Sequence, residues 1–297
     1  MNYYNEIKKE LINNEINKRI KDYSKNRYEL EKYYNVGKLL NEAGKHYGEG
    51  IIKEYSKRLT NELGKGYSKR NLWLMLKFFK LKEKVQTLSA QLSWSHYCEL
   101  LSLNNVEEIN YYITITELNN LSVRKLREKI KNNEYGRLSE STRSKLINKE
   151  RTTLTDLVKD PIIIKNKDCY NLISEKVLQR LILEDVESFM KELGNSFSFI
   201  GSEYKIKLGS TYNYIDLLLF NYEYNCFVVV ELKVTELKKE HIGQIQVYMN
   251  YIDTNLRKIS QDKTIGIIIC RQGNKYIIEY CSDKRIISRT YEIVNVL

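Results

Sequence analysis

The spacing of apolar residues divides the chain into a helical first half and a second half that mixes helices with strands. Before about residue 135 the apolar positions recur every three or four residues, as between Ile51 and Leu63, and no run alternates as a strand would. The glycines within residues 64–67 interrupt this pattern, and Ser68 is a suitable N-cap for a helix that continues to Phe79. The same spacing predicts further helices at 34–40, near Ser93, at 106–118 and from Ser122.

After residue 170 the pattern changes. Residues 172–193 predict one amphipathic helix, which Gly194 ends. The elements predicted after it are strands at 197–200, 204–208, 214–220 and 226–234, a helix at 238–252, and strands at 264–270 and 276–280. Helices before and after a run of strands are typical of an α/β sandwich around a mixed sheet.

These patterns predict a two-domain α+β protein. We expect an all-α domain at residues 1–135 and an α/β domain with a mixed sheet at residues 161–297. The charged stretch between them, residues 136–160, ends at the only proline of the chain and is the expected linker.

The charge is distributed unevenly between the two halves. The chain carries 49 basic and 38 acidic residues and a net charge of +11. Residues 1–150 hold 29 of the basic and 19 of the acidic residues, so almost all of the excess lies in the helical half. A polyanion such as nucleic acid is therefore the expected partner of that half.

Several protein classes are excluded by the composition. No apolar run is long enough to span a membrane, and the first residues do not have the pattern of a signal peptide. Five widely spaced cysteines without a Cys-x-x-Cys pair argue against a zinc cluster or a disulfide scaffold and favour a cytoplasmic protein. With only three scattered histidines and no phosphate-binding glycine loop, any catalysis must depend on carboxylates, lysine or tyrosine.

Charged residues interrupt two of the predicted strands at matching points. Asp216 lies in an otherwise apolar strand, and the next apolar strand ends with Glu231 and Lys233, which point to one face because they are two residues apart. A hairpin turning at residues 221–225 would lay Asp216 beside Glu231. Two carboxylates and a lysine can hold Mg²⁺ or Mn²⁺ and stabilise the charge that develops on a phosphodiester. The alternative is an ion pair on two strands without a catalytic role.

The arrangement Ile-Asp followed by Glu-x-Lys resembles the PD-(D/E)XK nuclease motif. The resemblance implies one more carboxylate from the preceding helix, for which Glu192 is favoured and Asp185 comes second, because both lie close to the apolar stripe. It also implies a catalytic glutamine on the following helix, where Gln244 and Tyr248 share a face. These residues could equally be solvated, capping or packing residues.

A basic region within the helical half is a candidate for DNA binding. Residues 51–84 contain ten basic and three acidic residues and have the layout of a helix-turn-helix. Lys69, Arg70 and Asn71 would lie in the first turn of the second helix, the position that reads base edges in the major groove. Arg124, Lys125 and Arg127 form a second candidate of the same kind. A solvated helical hairpin is the alternative.

Together these segments resemble the YhcG-type bacterial family. The similar stretches are Asn35–Leu40, Gly66–Leu72, Gln91–His96, Leu121–Leu126, Lys191–Phe197, Ile215–Leu218, Glu231–Lys233, Gly243–Gln244, Tyr248 and Thr264–Cys270. The resemblance implies a helical DNA-binding front domain and a restriction-endonuclease-like nuclease domain, often found at mobile elements or defence loci. Two positions depart from the family pattern: Ile215 replaces the proline of the motif, and Leu121 replaces a tryptophan.

The leading hypothesis is a Mg²⁺- or Mn²⁺-dependent DNA endonuclease that acts on double-stranded DNA delivered by the basic helical domain. One alternative is a DNA-binding regulator or assembly subunit that keeps the nuclease fold without activity. The other is an RNA-processing nuclease, because metal-assisted hydrolysis does not require a particular sugar. The sequence leaves open whether the protein forms a homodimer.

Overall fold

The computed structural model describes residues 3–17, 25–48, 50–84, 89, 91–194 and 196–295. The chain forms two compact units. The first contains the residues up to Tyr135 and Arg143–Glu150, and the second contains Gly136–Thr142 and the residues from Arg151 onward. Residues 136–160, the expected linker, are thus folded and divided between the two units.

The described residues of the first unit form helices joined by turns and loops, with no strand among them, as predicted. Its helices are α1 (Tyr3–Asn17), α2 (Lys25–Tyr47), α3 (Ile51–Leu63), α4 (Lys69–Lys82), α5 (Trp94–Leu100), α6 (Val106–Asn119) and α7 (Val123–Lys131), and α8 (Glu140–Ile147) crosses the division between the units. Leu40, Leu59 and Leu72 are fully buried in a core that α1 to α4 share. Because Gly37 has no side chain, α2 can approach the main chain of α4 at Met75.

The second unit contains a six-stranded mixed sheet, also as predicted. Its elements are α9 (Leu154–Leu157), β1 (Ile162–Asn166), α10 (Glu175–Glu184), α11 (Val186–Leu193), β2 (Phe197–Leu208), β3 (Thr211–Asn221), β4 (Cys226–Glu236), α12 (Lys239–Asn255), β5 (Ile265–Gln272), α13 (Lys275–Glu279) and β6 (Ile286–Asn295). The strand order is β1-β6-β5-β4-β3-β2. The two pairings among β2, β3 and β4 are antiparallel, and the others are parallel.

Helices cover both faces of this sheet. Val228, Val230 and Leu232 belong to the core that α10 and α11 complete, whereas Val229 belongs to the core under α12. Successive strand residues point to opposite faces, and both faces are buried here, so β4 is apolar without alternation. Glu231 is therefore the first charged residue of β4 and follows three fully buried valines, Val228, Val229 and Val230.

Several predicted elements differ from the structure. The strands expected at 197–200 and 204–208 form one strand, β2, with an irregular register between Phe199 and Gly201. The helix expected at 172–193 is two helices, because the backbone at Asp185 leaves the helical region and its side chain caps α11 at Ser188. The strand expected at 276–280 is wrong: Asn274 caps a short helix there, α13. The last strand along the chain is instead β6. The strand β1, which was not predicted, pairs with β6 and forms the edge of the sheet.

Candidate active site

The site begins where the pairing of β3 with β4 stops. The antiparallel pairing runs from Asn221 opposite Cys226 to Leu217 opposite Val230. Asp216 and Glu231 are the next residue on each strand. Beyond this point β4 continues beside β5, with Glu231 opposite Ile268. The two carboxylates therefore lie where the main-chain ladder between their strands has ended.

Hydrogen bonds between side chain and main chain replace the missing ladder. The main-chain N–H of Leu232 donates to Asp216 Oδ2 at 2.7 Å, and the N–H of Asp216 donates to Glu231 Oε1 at a longer 3.5 Å. Each carboxylate thus accepts a hydrogen bond from the strand that carries the other. The Asp216 bond has the short length of a charge-assisted bond, while the Glu231 bond is at the weak limit.

A lysine and a third carboxylate complete the cluster. Lys233 Nζ lies 3.4 Å from Glu231 Oε2 and 4.0 Å from Glu175 Oε2. The side chains of Glu231 and Lys233 are 2% and 12% exposed, whereas that of Glu175, at the start of α10, is 48% exposed. The structure therefore brings together Asp216, Glu231 and Lys233, with Glu175 at the solvent side.

Glu231 is buried and Asp216 is half-buried, and one lysine compensates their two negative charges only in part. Burial raises the pKa of Glu231, and the neighbouring Asp216 carboxylate raises it further, against the opposing effect of Lys233. Burial also raises the pKa of Asp216, although the Leu232 N–H and Lys233 act in the opposite direction. One lysine does not neutralise two carboxylates, and a bound cation would remove this deficit.

The donor set fits a hard divalent cation that keeps much of its water. Asp216 and Glu231 offer carboxylate oxygens, the ligands that Mg²⁺ prefers, and Mg²⁺ commonly binds one or two carboxylates while retaining several waters. Within the described residues, no three His, Cys, Asp or Glu side chains already close around a metal position. Asp216 and Glu231 are thus the residues that would hold an ion.

Glu192 and Asp185, the expected third ligands, lie elsewhere. Glu192 forms an ion pair with the buried Arg137 and accepts a hydrogen bond from the N–H of Ile163. Asp185 pairs with Lys167 at 2.9 Å, and the hydrogen bond from this lysine lowers the pKa of Asp185 to about 2. The helical-wheel argument failed because the predicted continuous helix breaks at Asp185, which changes the direction of every later side chain.

Glu175 was not identified as a site residue from the sequence. In a helix that begins at residue 172, Glu175 would be an ordinary residue of the first turn. Ser174 caps α10 instead, with its hydroxyl accepting from Val177 N, so Glu175 is the first residue of the helix. A serine followed by glutamate is an ordinary helix start, and nothing in the sequence marks this one as part of a site. Glu175 replaces Glu192 as the helix carboxylate nearest to Lys233.

Two more residues of α10 and β2 border Asp216. Gln179 Nε2 donates to the main-chain oxygen of Asp216 at 3.2 Å, and Glu203 adds a negative charge that raises the pKa of Asp216. Both residues line an open groove of about 380 Å³ between α10 and β2. Asp216 and Glu231 are not among its lining residues, but the Gln179 bond joins the wall of the groove to the main chain of Asp216.

The start of α12 approaches the cluster from the other side. Lys233 and Glu175 both influence His241, whose pKa is lowered first by burial and then by Lys233. His241 Nδ1 accepts from the N–H of Lys238. Gln244, predicted to be catalytic, lies one turn further on and donates to Tyr248 Oη at 3.1 Å. The glutamine and tyrosine do share a face, but their contact is with each other.

The basic residues of the first unit differ in how free they are. Ser68 caps α4 through Asn71 N, and the Asn71 side chain donates to the Gly66 carbonyl at 2.9 Å, so this asparagine secures the turn before α4. Lys69 and Arg70 are exposed. Two helices joined by a short turn, as predicted, therefore present two of the three candidate DNA-binding residues to solvent.

The second basic candidate is partly occupied. Arg127 forms a two-pronged ion pair with Glu99, with nitrogen–oxygen distances of 2.7 and 3.0 Å. Arg124 and Lys125 are exposed on the first turn of α7. The guanidinium of Arg127 is therefore engaged by Glu99, although its side chain is 64% exposed.

Two family profiles match the chain. Residues 7–137 match the DUF1016 N-terminal domain, and residues 155–295 match the YhcG PDDEXK nuclease domain. The chain is also similar to the protein of Escherichia coli (strain K12) named "Putative nuclease YhcG", with 25% identity over 269 residues, 78% of this chain and 72% of that protein.

Two solved structures show a more distant similarity. One is the crystal structure of a repair endonuclease from Pyrococcus abyssi, with 16% identity over 42% of this chain. The other is the structure of an EndoMS–dsDNA2 complex, with 18% identity over 44% of this chain. Each TM-score is 0.29, and the chain spans about half the length of each structure, 49%. Separately, no helix in the described part of the chain is long and apolar enough to cross a bilayer.

Proposed function

Because the chain belongs to the YhcG-type family, in which a DUF1016 N-terminal domain precedes a PDDEXK nuclease domain, we propose that it is a metal-dependent DNA endonuclease. The observation that carries this proposal is the cluster of Asp216, Glu231 and Lys233 at the end of the β3–β4 pairing. Holding two carboxylates in the sheet beside a single lysine costs free energy. Groups of this kind are concentrated at functional sites.

Each residue of the cluster would have a separate role in phosphodiester hydrolysis. When bound between Asp216 and Glu231, Mg²⁺ or Mn²⁺ supplies a Lewis acid that makes a coordinated water more acidic and polarises a phosphate oxygen. The Leu232 N–H fixes the Asp216 carboxylate in one orientation before any ion binds. Lys233, held by Glu231, directs its ammonium group toward the developing phosphate charge or orients the water.

Around this cluster, Glu175 and Gln179 have positioning roles. Glu175 attracts Lys233 from the solvent side, which keeps the ammonium group from pairing with Glu231 alone. Gln179 ties α10 to the main chain at Asp216 and so sets the width of the groove. Gln244 stays a proposed contributor, and Tyr248 would hold its amide.

The basic first unit would supply affinity for double-stranded DNA. Lys69, Arg70, Arg124 and Lys125 are exposed on the first turns of α4 and α7. Lysine and arginine on a helix start are suited to phosphate contacts and, for arginine, to guanine. This affinity would not depend on the metal, because the charges lie in a different unit from the carboxylates.

A digestion panel tests the proposal. Single-stranded and duplex DNA and the matching RNA forms are incubated with Mg²⁺, Mn²⁺ or a chelator, using the wild type, Glu231→Gln and, as a control, Glu279→Gln, which changes an exposed carboxylate of α13. We expect metal-dependent cuts in DNA by the wild type and the control and none by Glu231→Gln. Cleavage confined to RNA would favour an RNA-processing nuclease, and no cleavage of any form would favour an inactive DNA-binding protein.

A further inference from the structure

The hairpin of β2 and β3 has one face built from lysine and tyrosine. Lys205 lies opposite Tyr214 and Lys207 lies opposite Tyr212 in the antiparallel register. The register is fixed by a two-residue loop in which Gly209 adopts a positive φ of 62°, a conformation that glycine accepts without strain. We refer to these four residues as the Tyr–Lys ribbon.

The ribbon is on the solvent face of the hairpin. Ile206, between the two lysines, is 1% exposed and packs in the core under α12, so Lys205 and Lys207 point away from that core. Tyr212 and Tyr214 are 55% and 52% exposed. Apolar rings of this size are usually covered in a folded protein, and two adjacent ones on a strand indicate a contact surface.

The lysines are available for an anionic partner. Lys205 Nζ lies 3.8 Å from the centre of the Tyr212 ring, a cation–π contact that also orders the ring. Neither Lys205 nor Lys207 forms an ion pair with any residue that the structure describes. The ribbon therefore combines flat aromatic surfaces with two uncompensated positive charges.

The ribbon leads to the carboxylate cluster along a single strand. Tyr214 is two residues before Asp216 and Tyr212 is four, which corresponds to about 7 and 13 Å at the usual rise of a strand. On β2, Glu203 lies two residues before Lys205, at the level of Asp216 on the neighbouring strand, and lines the groove beside α10. A ligand that covers the ribbon would continue into the groove next to Asp216.

Aromatic rings alternating with cations bind unpaired nucleic-acid strands. Bases of a single strand can stack on exposed rings while lysines contact the phosphates, and every base offers a face for stacking. Bases of a duplex are stacked on each other and cannot reach such rings unless a pair opens. The ribbon therefore suits a single strand better than a duplex.

We propose that the Tyr–Lys ribbon binds an unpaired DNA strand and guides it to Asp216, so that the substrates of this site contain a single-stranded segment. Cleavage of the bound strand rests on the proposed nuclease function, whereas binding of the strand to the ribbon does not require catalysis. It assigns to Tyr212 and Tyr214 the stacking of bases and to Lys205 and Lys207 the phosphate contacts.

Binding of the full chain to labelled DNA in a chelator tests the ribbon without turnover. The probes are a 20-nucleotide single strand, its duplex and the RNA of the same sequence. The variants are Tyr212→Ala with Tyr214→Ala, and Lys205→Ala with Lys207→Ala. Matched controls are Tyr222→Ala, an exposed tyrosine at the opposite end of β3, and Lys258→Ala with Lys263→Ala, two exposed lysines near β5. Circular dichroism and thermal melting establish that each variant is folded.

The tyrosine variant should raise the Kd for the single strand by about tenfold or more and leave the duplex Kd within about twofold. The lysine variant should reduce the dependence of log Kd on log salt for the single strand by about 1.4, and the controls should leave both unchanged. Equal losses for single strand and duplex, or no loss in either variant, would overturn the proposal, as would a tenfold preference for the RNA.

Cleavage in Mg²⁺ separates the two proposals. If the wild type cleaves no DNA and the tyrosine variant nevertheless has reduced affinity for the single strand, the result supports binding by the ribbon and contradicts the nuclease function. If the wild type cuts DNA and the tyrosine variant binds and cuts the single strand as well as the wild type, the nuclease function survives and the ribbon fails.

Discussion

Asp216 and Glu231 each accept a hydrogen bond from the strand that carries the other, at the step where the pairing of those strands ends. The main chain therefore holds the Asp216 carboxylate through a short bond of 2.7 Å and the Glu231 carboxylate through a weaker one of 3.5 Å. A cation would bind groups whose orientation is already set, which reduces the entropy lost on binding. Lys233, between Glu231 and Glu175, adds a positive charge that acts on both Asp216 and Glu231.

Lys233→Ala should reduce cleavage without removing metal binding. Lysine is not a metal ligand, so its loss affects the stabilisation of phosphate charge, for which a single lost donor costs on the order of 10²–10³-fold in rate. Single-turnover cleavage measures the rate, and calorimetric titration with Mn²⁺ measures the affinity. Lys239→Ala, at the exposed first residue of α12, is the control. Loss of Mn²⁺ affinity beyond a few-fold in Lys233→Ala would contradict this division of roles.

The contribution of Asp216 and Glu231 to the stability of the metal-free protein should fall as the pH rises. Burial raises the pKa of both Asp216 and Glu231 in the folded state, while in the unfolded chain such groups titrate near about 4. The folded state therefore holds more protons, so this contribution to stability is complete below about pH 4 and is lost as the pH passes through the raised pKa values.

Glu231→Gln isolates this effect. The amide cannot ionise, so the variant should melt at a higher temperature than the wild type at pH 8 in a chelator, and the difference should shrink toward pH 5. Mn²⁺ should stabilise the wild type at pH 8 and have little effect on the variant. A wild type that is the more stable protein at pH 8 without metal would show that Lys233 compensates both carboxylates fully.

Glu175 and Glu192 should give opposite phenotypes. Glu192→Ala removes the carboxylate that forms an ion pair with Arg137, whose side chain is 7% exposed, and the loss of a hydrogen bond to a charged group costs about 1.5–3 kcal/mol of stability. Glu175→Ala removes a half-exposed group beside Lys233 and should lower the cleavage rate with little change in the free energy of unfolding. Denaturant unfolding and single-turnover cleavage of both variants decide the assignment. A stable Glu192→Ala protein without metal affinity would restore Glu192 as a ligand.

The strands that carry Asp216, Glu231 and Lys233 could be predicted because their signal is local. Long apolar runs interrupted by a charge are rare, and the turn at residues 221–225 sets their pairing. The helix carboxylate could not be predicted, because its direction depends on where α10 begins and on the break at Asp185. Both are decided by capping contacts, of Ser174 with Val177 and of Asp185 with Ser188, which many polar residues could make.

The end of the sheet was mispredicted for a related reason. Four of residues 276–280 are apolar or aromatic, and a run of five cannot distinguish a strand from a helical turn. The cap at Asn274 decides for the helix. β1 was missed because it pairs with β6, more than 120 residues later in the chain, and a five-residue strand has little pattern of its own.

Gly37→Ala should destabilise the helical unit strongly. A Cβ at this position would lie 2.1 Å from the carbonyl oxygen of Met75 and 2.8 Å from the Cβ of Phe79, so α2 and α4 would have to separate. We expect a loss of at least about 1–3 kcal/mol, the usual cost of overpacking. Gly44→Ala on the same helix meets nothing within 4 Å and should be neutral or stabilising. Equal thermal stability of the two variants would contradict this packing.

DNA affinity of the full chain should depend on Lys69 and Arg70 but only indirectly on Asn71. Lys69 and Arg70 are exposed at the start of α4, whereas the Asn71 side-chain amide donates a hydrogen bond to the Gly66 carbonyl. Lys69→Ala with Arg70→Ala should therefore lower duplex affinity and reduce the slope of log Kd against log salt by about 1.8, if each residue contacts one phosphate. Asn71→Ala should cost about 1 kcal/mol of stability through the lost turn bond, with the salt slope unchanged. Arg124→Ala with Lys125→Ala, measured beside them, shows whether α7 contributes separately. An unchanged slope in the Lys69 and Arg70 variant would remove α4 from the DNA-binding surface, even if the net charge of the unit still attracts DNA.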